Sequence, residues 1–359
     1  MRIVFITSSS NMSGGSRQAL YLAQGLAARG HDLVFFVPVD AALPALAPDF
    51  AWRRLPEKRR AWRQAVAATL PKQRPAVLHA FHNKAVKLAA WWGLFWRRRG
   101  LVVAAQRGVV YAPNNPLPYW SPGIDCFMVN SHACATVLKR KGVADQRLHV
   151  VHNAVPAERL VSQLDAATVL KKCGVGQGNT KEFVFGCVAN DSANKGVDLL
   201  LAAFARASLP EARLVVVGVS EEKWRPLCLE LGVEERVALL GPSECVADYL
   251  RACDVFVLAS HSESMPNTVQ EAMCLGLPVV VTGVGGVPEC VDGNGLLVPP
   301  GDVAALAAAL QTSARDAAER AAWAARSLEM SALFDLNRKI DRVEAIYRDI
   351  FARRRLPWS

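Results

Sequence analysis

Asp254 to Pro300 reads DVFVLASHSESMPNTVQEAMCLGLPVVVTGVGGVPECVDGNGLLVPP, and its punctuation decides the fold class. Val255 to Leu258 is a short apolar, β-branched run of the kind that forms a buried parallel strand, and it stops in a polar loop, Ser260 to Ser264. Pro266 suits the first position of a helix over Thr268 to Leu275, which Gly276 and Pro278 end. A second buried strand, Val279 to Thr282, then runs into a loop containing Gly283, Gly285 and Gly286. This strand, loop, helix, strand unit belongs to an α/β sheet, with the N-terminus of its helix at the carboxyl end of the strands.

Such an N-terminus gathers unpaired backbone N–H groups and the positive end of the helix dipole, so it suits a phosphate. Two acids flank it, Glu263 in the loop and Glu271 inside the helix. Carboxylates repel phosphate, but an ionised carboxylate accepts hydrogen bonds from sugar or ribose hydroxyls. The expected ligand therefore carries both phosphate and hydroxyl groups.

The same alternation extends outward. Ile3 to Ile6, Leu33 to Val37, Val77 to His79, Val102 to Ala105 and Phe127 to Asn130 read as strands of one sheet. Phe183 to Val188, Leu214 to Val217 and Val237 to Leu239 lead a second sheet into the opening run. Two doubly wound Rossmann-like domains are expected, their ligands at the carboxyl ends of strands and, with the sheets facing each other, in a cleft. Residues 1–157 form the first and 158–333 the second, with the polar stretch Ala157 to Lys181 as boundary. A terminal helix over Phe334 to Arg355, with Ile340, Val343, Ile346, Tyr347 and Ile350 on one side, gives the first domain a completing segment over about 334–359. A helix over Arg17 to Arg29, closed by Gly30, follows the Thr7 to Ser16 loop, where Gly14 and Gly15 offer either a tight turn or an anion-facing backbone.

A chain of 359 residues with 52% hydrophobic content can bury two cores. It holds no apolar run of spanning length, and its opening residues are too short for a secretory core, so cytoplasmic residence is expected. Nine scattered cysteines, never in C-x-x-C spacing, argue against a disulfide framework or a structural zinc site. The net charge of +10 is uneven: residues 1–150 carry 21 Lys or Arg against 6 Asp or Glu, and the rest 21 against 26. The basic half interleaves tryptophans in Trp52 to Arg63, and again in Trp91 to Arg99, WWGLFWRRR. Aromatic rings beside arginines suit an anionic membrane surface; equally, these tryptophans could pack a buried helix whose last turn is capped by arginines. Nucleic acid is not expected, because no reader motif accompanies the charge.

The residues Glu263-Ser-Met-Pro-Asn, Glu271-Ala-Met-Cys-Leu-Gly-Leu-Pro-Val-Val and Gly285-Gly286-Val-Pro-Glu289 resemble the E-x7-E signature of the GT-B retaining glycosyltransferases of family 4 type. Gly14-Gly15, Leu22-Ala23 and Leu26-Ala-Ala-Arg-Gly-His31 match the way such chains begin, and Leu148 to Pro156 resembles their crossing between domains. The resemblance implies a nucleotide-sugar donor, a saccharide or glycolipid acceptor, no cofactor, and transfer with retention without a covalent intermediate. The chain has no D-x-D, so no metal is expected. By resemblance, Glu263 contacts the transferred sugar, Glu271 the ribose and Lys195 the diphosphate, with Gly14, Gly15, Asn190, Ser264, Met265, Pro266, Asn267 and Thr268 completing the donor site. Lys195 and Glu263 are the expected catalytic residues. Asn190 stands where the family often has an arginine, and Gln106-Arg107-Gly108 where many members have His-Gly. Arg17, His79, His82 and Arg107 are acceptor-side candidates, the histidines being as readily packed core as pocket lining. The implied function is transfer to a membrane-associated saccharide such as lipopolysaccharide core, with the enzyme peripheral at the inner face of the cytoplasmic membrane. The alternatives are a nucleotide-sugar epimerase of the same fold and a non-catalytic sugar- or membrane-binding relative.

Overall fold

Among the described residues, seven strands form the first sheet: β1 (Arg2–Thr7), β2 (Asp32–Val37), β3 (Trp52–Arg54), β4 (Ala76–Phe81), β5 (Leu101–Arg107), β6 (Cys126–Val129) and β7 (Leu148–Val150). The second has six among those residues: β8 (Phe183–Val188), β9 (Ala212–Val217), β10 (Val237–Leu240), β11 (Val255–Leu258), β12 (Val279–Thr282) and β13 (Gly295–Val298). The computed structural model describes residues 1–72, 74–175 and 182–358, so the end of the polar boundary stretch, 176–181, lies outside the described residues. The chain divides into two units, Met1–Ala154 with Asp335–Ser359, and Val155–Phe334.

Every strand pairing is parallel, in the orders β3-β2-β1-β4-β5-β6-β7 and β10-β9-β8-β11-β12-β13. Parallel strands carry helices on both faces, so the central ones bury every side chain and read as unbroken apolar runs. β4 and β11 are buried along their whole length. One edge strand lacks that signal. β3, sequence WRR, has two exposed arginines and pairs only with β2.

In the first unit the Gly14–Ala28 helix begins three residues before the expected Arg17, because the Ser13 side chain caps it by accepting from Ser16 N–H. Gly14 and Gly15 are therefore its first turn rather than a loop. The Leu336–Arg353 helix packs Ile340, Val343, Ile346, Tyr347 and Ile350 against Phe5 and Val77 of this unit's core. It crosses the Gly14–Ala28 helix so closely that a Cβ on Gly25 would stand 2.1 Å from Ile340 Cδ1. Glycine there is a packing requirement.

The tryptophans separate into two sets. Trp62, Trp92 and Trp96 are buried, and Trp62 Nε1 donates to Pro56 O. Trp91, Leu94 and Phe95 are exposed along the Asn83–Trp96 helix at the i, i+3, i+4 spacing of one face. Among the described residues, no helix is long and apolar enough to cross a membrane.

Candidate functional site

In a doubly wound sheet the chain order reverses at one pair of strands, and the loops leaving their carboxyl ends diverge around a crevice. In the second unit that pair is β8 and β11. The loop after β8 delivers Lys195 and the loop after β11 delivers Glu263, with Nζ and Oε1 2.5 Å apart. Both side chains are largely withdrawn from solvent, which strengthens their attraction. Ser260 Oγ also donates to Glu263 Oε1, at 3.0 Å.

The loops are held by their backbones. His261 N–H donates to Asn194 O at 2.8 Å. Gly196 has φ +60, and a Cβ there would lie 2.1 Å from Ala259 O, so only glycine lets the two loops meet. Asn190 Oδ1 accepts from Ser192 N–H, an Asx turn that shapes the same loop. Asn190 is thus tied into the turn, where an arginine would reach outward.

The Asn267–Cys274 helix starts beside this pair, with Pro266 as N-cap rather than first helical residue. Met265 is buried against Cys290. Ser264 and Asn267 sit half-exposed at the helix entry. Thr268 Oγ1 and both amide atoms of Gln270 are buried and lack hydrogen-bond partners among the described residues, whereas buried polar atoms nearly always have one. Glu271, 7% exposed, receives Arg159 Nε at 3.0 Å on the same carboxylate expected to hold ribose. Arg159 also donates to Glu244 O. Sequence reasoning missed Arg159 and Gln270. Arg159 lies far along the chain in a polar stretch, and Gln270 has the character of an ordinary helix-surface residue.

The first unit repeats the arrangement at β1 and β4. Thr7 Oγ1, at the end of β1, lies 2.7 Å from His82 Nδ1, just past β4. His82 has φ 67 and ψ 151, a conformation that costs a non-glycine residue about 1–3 kcal/mol. Burial lowers its pKa, favouring the neutral ring. A Cβ on Gly15 would be 3.6 Å from His82 Nε2, so the ring lies against the first turn of the Gly14–Ala28 helix. Ser8 Oγ accepts from Ala85 N–H at the start of the Asn83–Trp96 helix, bringing a second N-terminus to the same place. Arg17 stands half-exposed in that turn.

His79 takes the packed alternative of the two open to it, and Arg107, an acceptor-side candidate, is buried and internally engaged. His79 is fully buried, its Nδ1 2.6 Å from Tyr347 Oη, and burial with the neighbouring Lys339 charge pushes its pKa to about 3. It pins the terminal helix. Arg107 is 3% exposed and donates to Asn83 Oδ1 (2.9 Å), Tyr119 Oη (2.7 Å) and Tyr111 O. A guanidinium so engaged braces the segment after β5.

Two family models match the chain, "Glycosyltransferase Family 4" over residues 12–159 and "Glycosyl transferases group 1" over residues 182–316. The chain belongs to the GT-B glycosyltransferases. HepE of Anabaena, solved in complex with UDP, superposes on this chain with a TM-score of 0.85 at 21% identity, covering 97% of this chain and all of that one. WaaG, a glycosyltransferase involved in lipopolysaccharide biosynthesis, gives 0.67 at 19% identity over 96% of this chain and 99% of that one. A D-inositol 3-phosphate glycosyltransferase of Stackebrandtia nassauensis is 34% identical over 188 residues, 48% of this chain and 42% of that protein. An N-acetyl-alpha-D-glucosaminyl L-malate synthase of Bacillus anthracis is 28% identical over 199 residues, 54% of this chain and 51% of that protein. The chain thus spans about half the length of the curated relatives it matches.

Proposed function

We propose that this protein transfers a sugar, with retention and without a metal, from a nucleotide-sugar donor to a lipid-linked saccharide such as lipopolysaccharide core, working at the cytoplasmic face of a membrane. The observation that carries the reading is the Lys195–Glu263 pair at the strand reversal of the second unit, 2.5 Å apart beside a helix N-terminus. Breaking a sugar–phosphate bond leaves a diphosphate whose growing charge needs fixed donors. Lys195 and the N–H groups of the Asn267–Cys274 helix are those donors. Glu263 accepts from hydroxyls of the transferred sugar, and Glu271, steadied by Arg159, from the ribose. Thr268 Oγ1 has its hydrogen-bonding capacity unspent. The absence of D-x-D from the sequence supports neutralisation by protein groups rather than a metal clamp.

In the first unit, His82 forms the acceptor-side half of the reading, with Arg17 at its rim, and the N–H groups of Gly14 and Gly15 are its share of the diphosphate donors. The membrane part rests on the Asn83–Trp96 helix. Its exposed stripe runs Lys84, Lys87, Trp91, Leu94, Phe95, continuing to Arg98, with apolar rings between basic ends. Such a face lies at headgroup depth on an anionic bilayer.

The test is a panel of nucleotide sugars with and without lipid-linked acceptors, run with and without a chelator. Transfer that survives chelation, with the donor's anomeric configuration kept in the product, is the expected result. No donor binding and no transfer by correctly folded protein would remove the proposal. Conversion of a donor to its epimer without acceptor would replace it with an epimerase.

A further inference from the structure

We propose that a groove beside the exposed helix stripe seats the phosphate of an anionic lipid headgroup, an inference that rests on the membrane reading above and gives it a discrete site. The groove has a volume of about 580 Å3 and lies between the Trp62–Ala67 helix and the end of the Asn83–Trp96 helix. Arg60, Arg63 and Arg99 line it together with Gln64, Phe95 and Trp96, and no carboxylate does.

Three features distinguish these arginines from a solvated surface. They have no acidic partner among the described residues, whereas the adjacent Arg97 reaches Asp125 at 3.3 Å. Like charges gathered without a counter-charge repel, and a bound anion removes that cost. The Arg63 guanidinium stacks 4.9 Å above Phe95 and 5.9 Å from Trp96, which fixes its plane and favours bidentate contact with phosphate oxygens. The groove is also continuous with apolar surface: Phe95, 62% exposed, is both a wall of the groove and a member of the Trp91, Leu94, Phe95 face. A free phosphate has no use for that face. A headgroup whose acyl chains begin beside it does.

The test is co-sedimentation of the full chain with phosphatidylcholine vesicles containing phosphatidylglycerol, comparing R63Q/R99Q with K84Q/K87Q, which removes the same charge from the same surface outside the groove. All four positions are exposed, and unchanged melting curves confirm intact folds. Diffuse attraction is worth about fivefold per basic residue, so it lowers the affinity of both double variants equally. Seating in the groove makes R63Q/R99Q bind at least about tenfold more weakly than K84Q/K87Q, bidentate contacts adding to the diffuse term. Equal losses, or full binding by R63Q/R99Q, overturn the proposal. Displacement from vesicles by inorganic phosphate beyond that by chloride of equal ionic strength, or by a single-stranded oligonucleotide, overturns it too, since the occupant would then be a free anion or a nucleic acid. If the unaltered protein fails to sediment at low salt, the membrane reading fails with the groove, while donor transfer to a soluble acceptor still tests the glycosyltransferase reading separately.

Discussion

The two units place their polar residues at the same topological point and fill it with different chemistry. Where the second sheet reverses, between β8 and β11, stands a charged pair, Lys195 and Glu263. Where the first reverses, between β1 and β4, stands a neutral contact, Thr7 with His82, beside two helix N-termini. Topology thus sets where a ligand meets each sheet, and the residues of the following loops set which ligand. A diphosphate leaving group calls for a fixed cation; a hydroxyl-bearing acceptor calls for neutral donors and acceptors.

The largest effect that could break this contrast is at Lys195. Lys195→Ala should lower transfer about 10²–10³-fold, the loss typical of removing one donor from developing negative charge. Thr7→Val should cost about tenfold and raise the acceptor KM while leaving the donor KM unchanged, the scale of one neutral hydrogen bond. Steady-state kinetics with both substrates varied checks this. Comparable losses from the two variants would mean that the charged pair is a structural tie.

Next in size is the contact between the two loops. Gly196→Ala meets Ala259 O at 2.1 Å and must hold φ +60, so it should destabilise the second unit by about 2–4 kcal/mol in chemical denaturation. Gly30→Ala, at φ +83 with nothing within 4 Å, isolates the dihedral cost and should lose about 1 kcal/mol. The excess at Gly196 measures the close approach of the two loops.

A third prediction concerns stored strain in the first unit. His82→Ala keeps the unfavourable backbone and loses the ring; His82→Gly loses both. The glycine variant should be more stable than the alanine one by about 1 kcal/mol, and both should raise the acceptor KM. If the alanine variant is the more stable, the positive φ at His82 carries no strain.

Much of this was legible in the sequence, for physical reasons that also mark its limits. β8, β11 and β12 have the bounds their apolar runs suggest, since a strand buried on both faces must be apolar throughout. The edge strand β3, WRR, buries less and leaves no such trace, while β13, GLLV, is apolar but only partly buried. Gly14 and Gly15 read as a loop because glycine is a poor helix former, yet one serine cap was enough to start the helix there. Lys195 and Glu263 stand 68 residues apart, and nothing in the spacing joins them; sheet order does. The Arg159 partner of Glu271 and the internal use of Arg107 depend on side-chain packing, which residue type alone does not specify.

A last comparison lies away from the ligands, in how each unit buries charge. Burial in the second unit would raise Asp248, but bonds from Leu164 N–H, Ser162 Oγ and Gln163 N–H outweigh it and hold the pKa below the usual value. The first unit buries Lys339, whose Nζ meets Gln18 Oε1 at 2.6 Å, and burial pushes that ammonium down to about 7. The unfolded lysine holds its proton to about pH 10.4, so between about 7 and 10 the unfolded chain binds more protons than the folded one. Stability contributed by Lys339 therefore rises with pH across that window, by up to about 1.4 kcal/mol per unit, and is flat below it. Asp248 contributes at neutral pH and loses its contribution only as pH falls through its lowered folded value. Lys339→Met should remove the alkaline rise while leaving the acid limb intact. Urea melts of both proteins from pH 6 to 10 decide it: parallel curves would mean that Lys339 stays charged when buried, held by Gln18 alone.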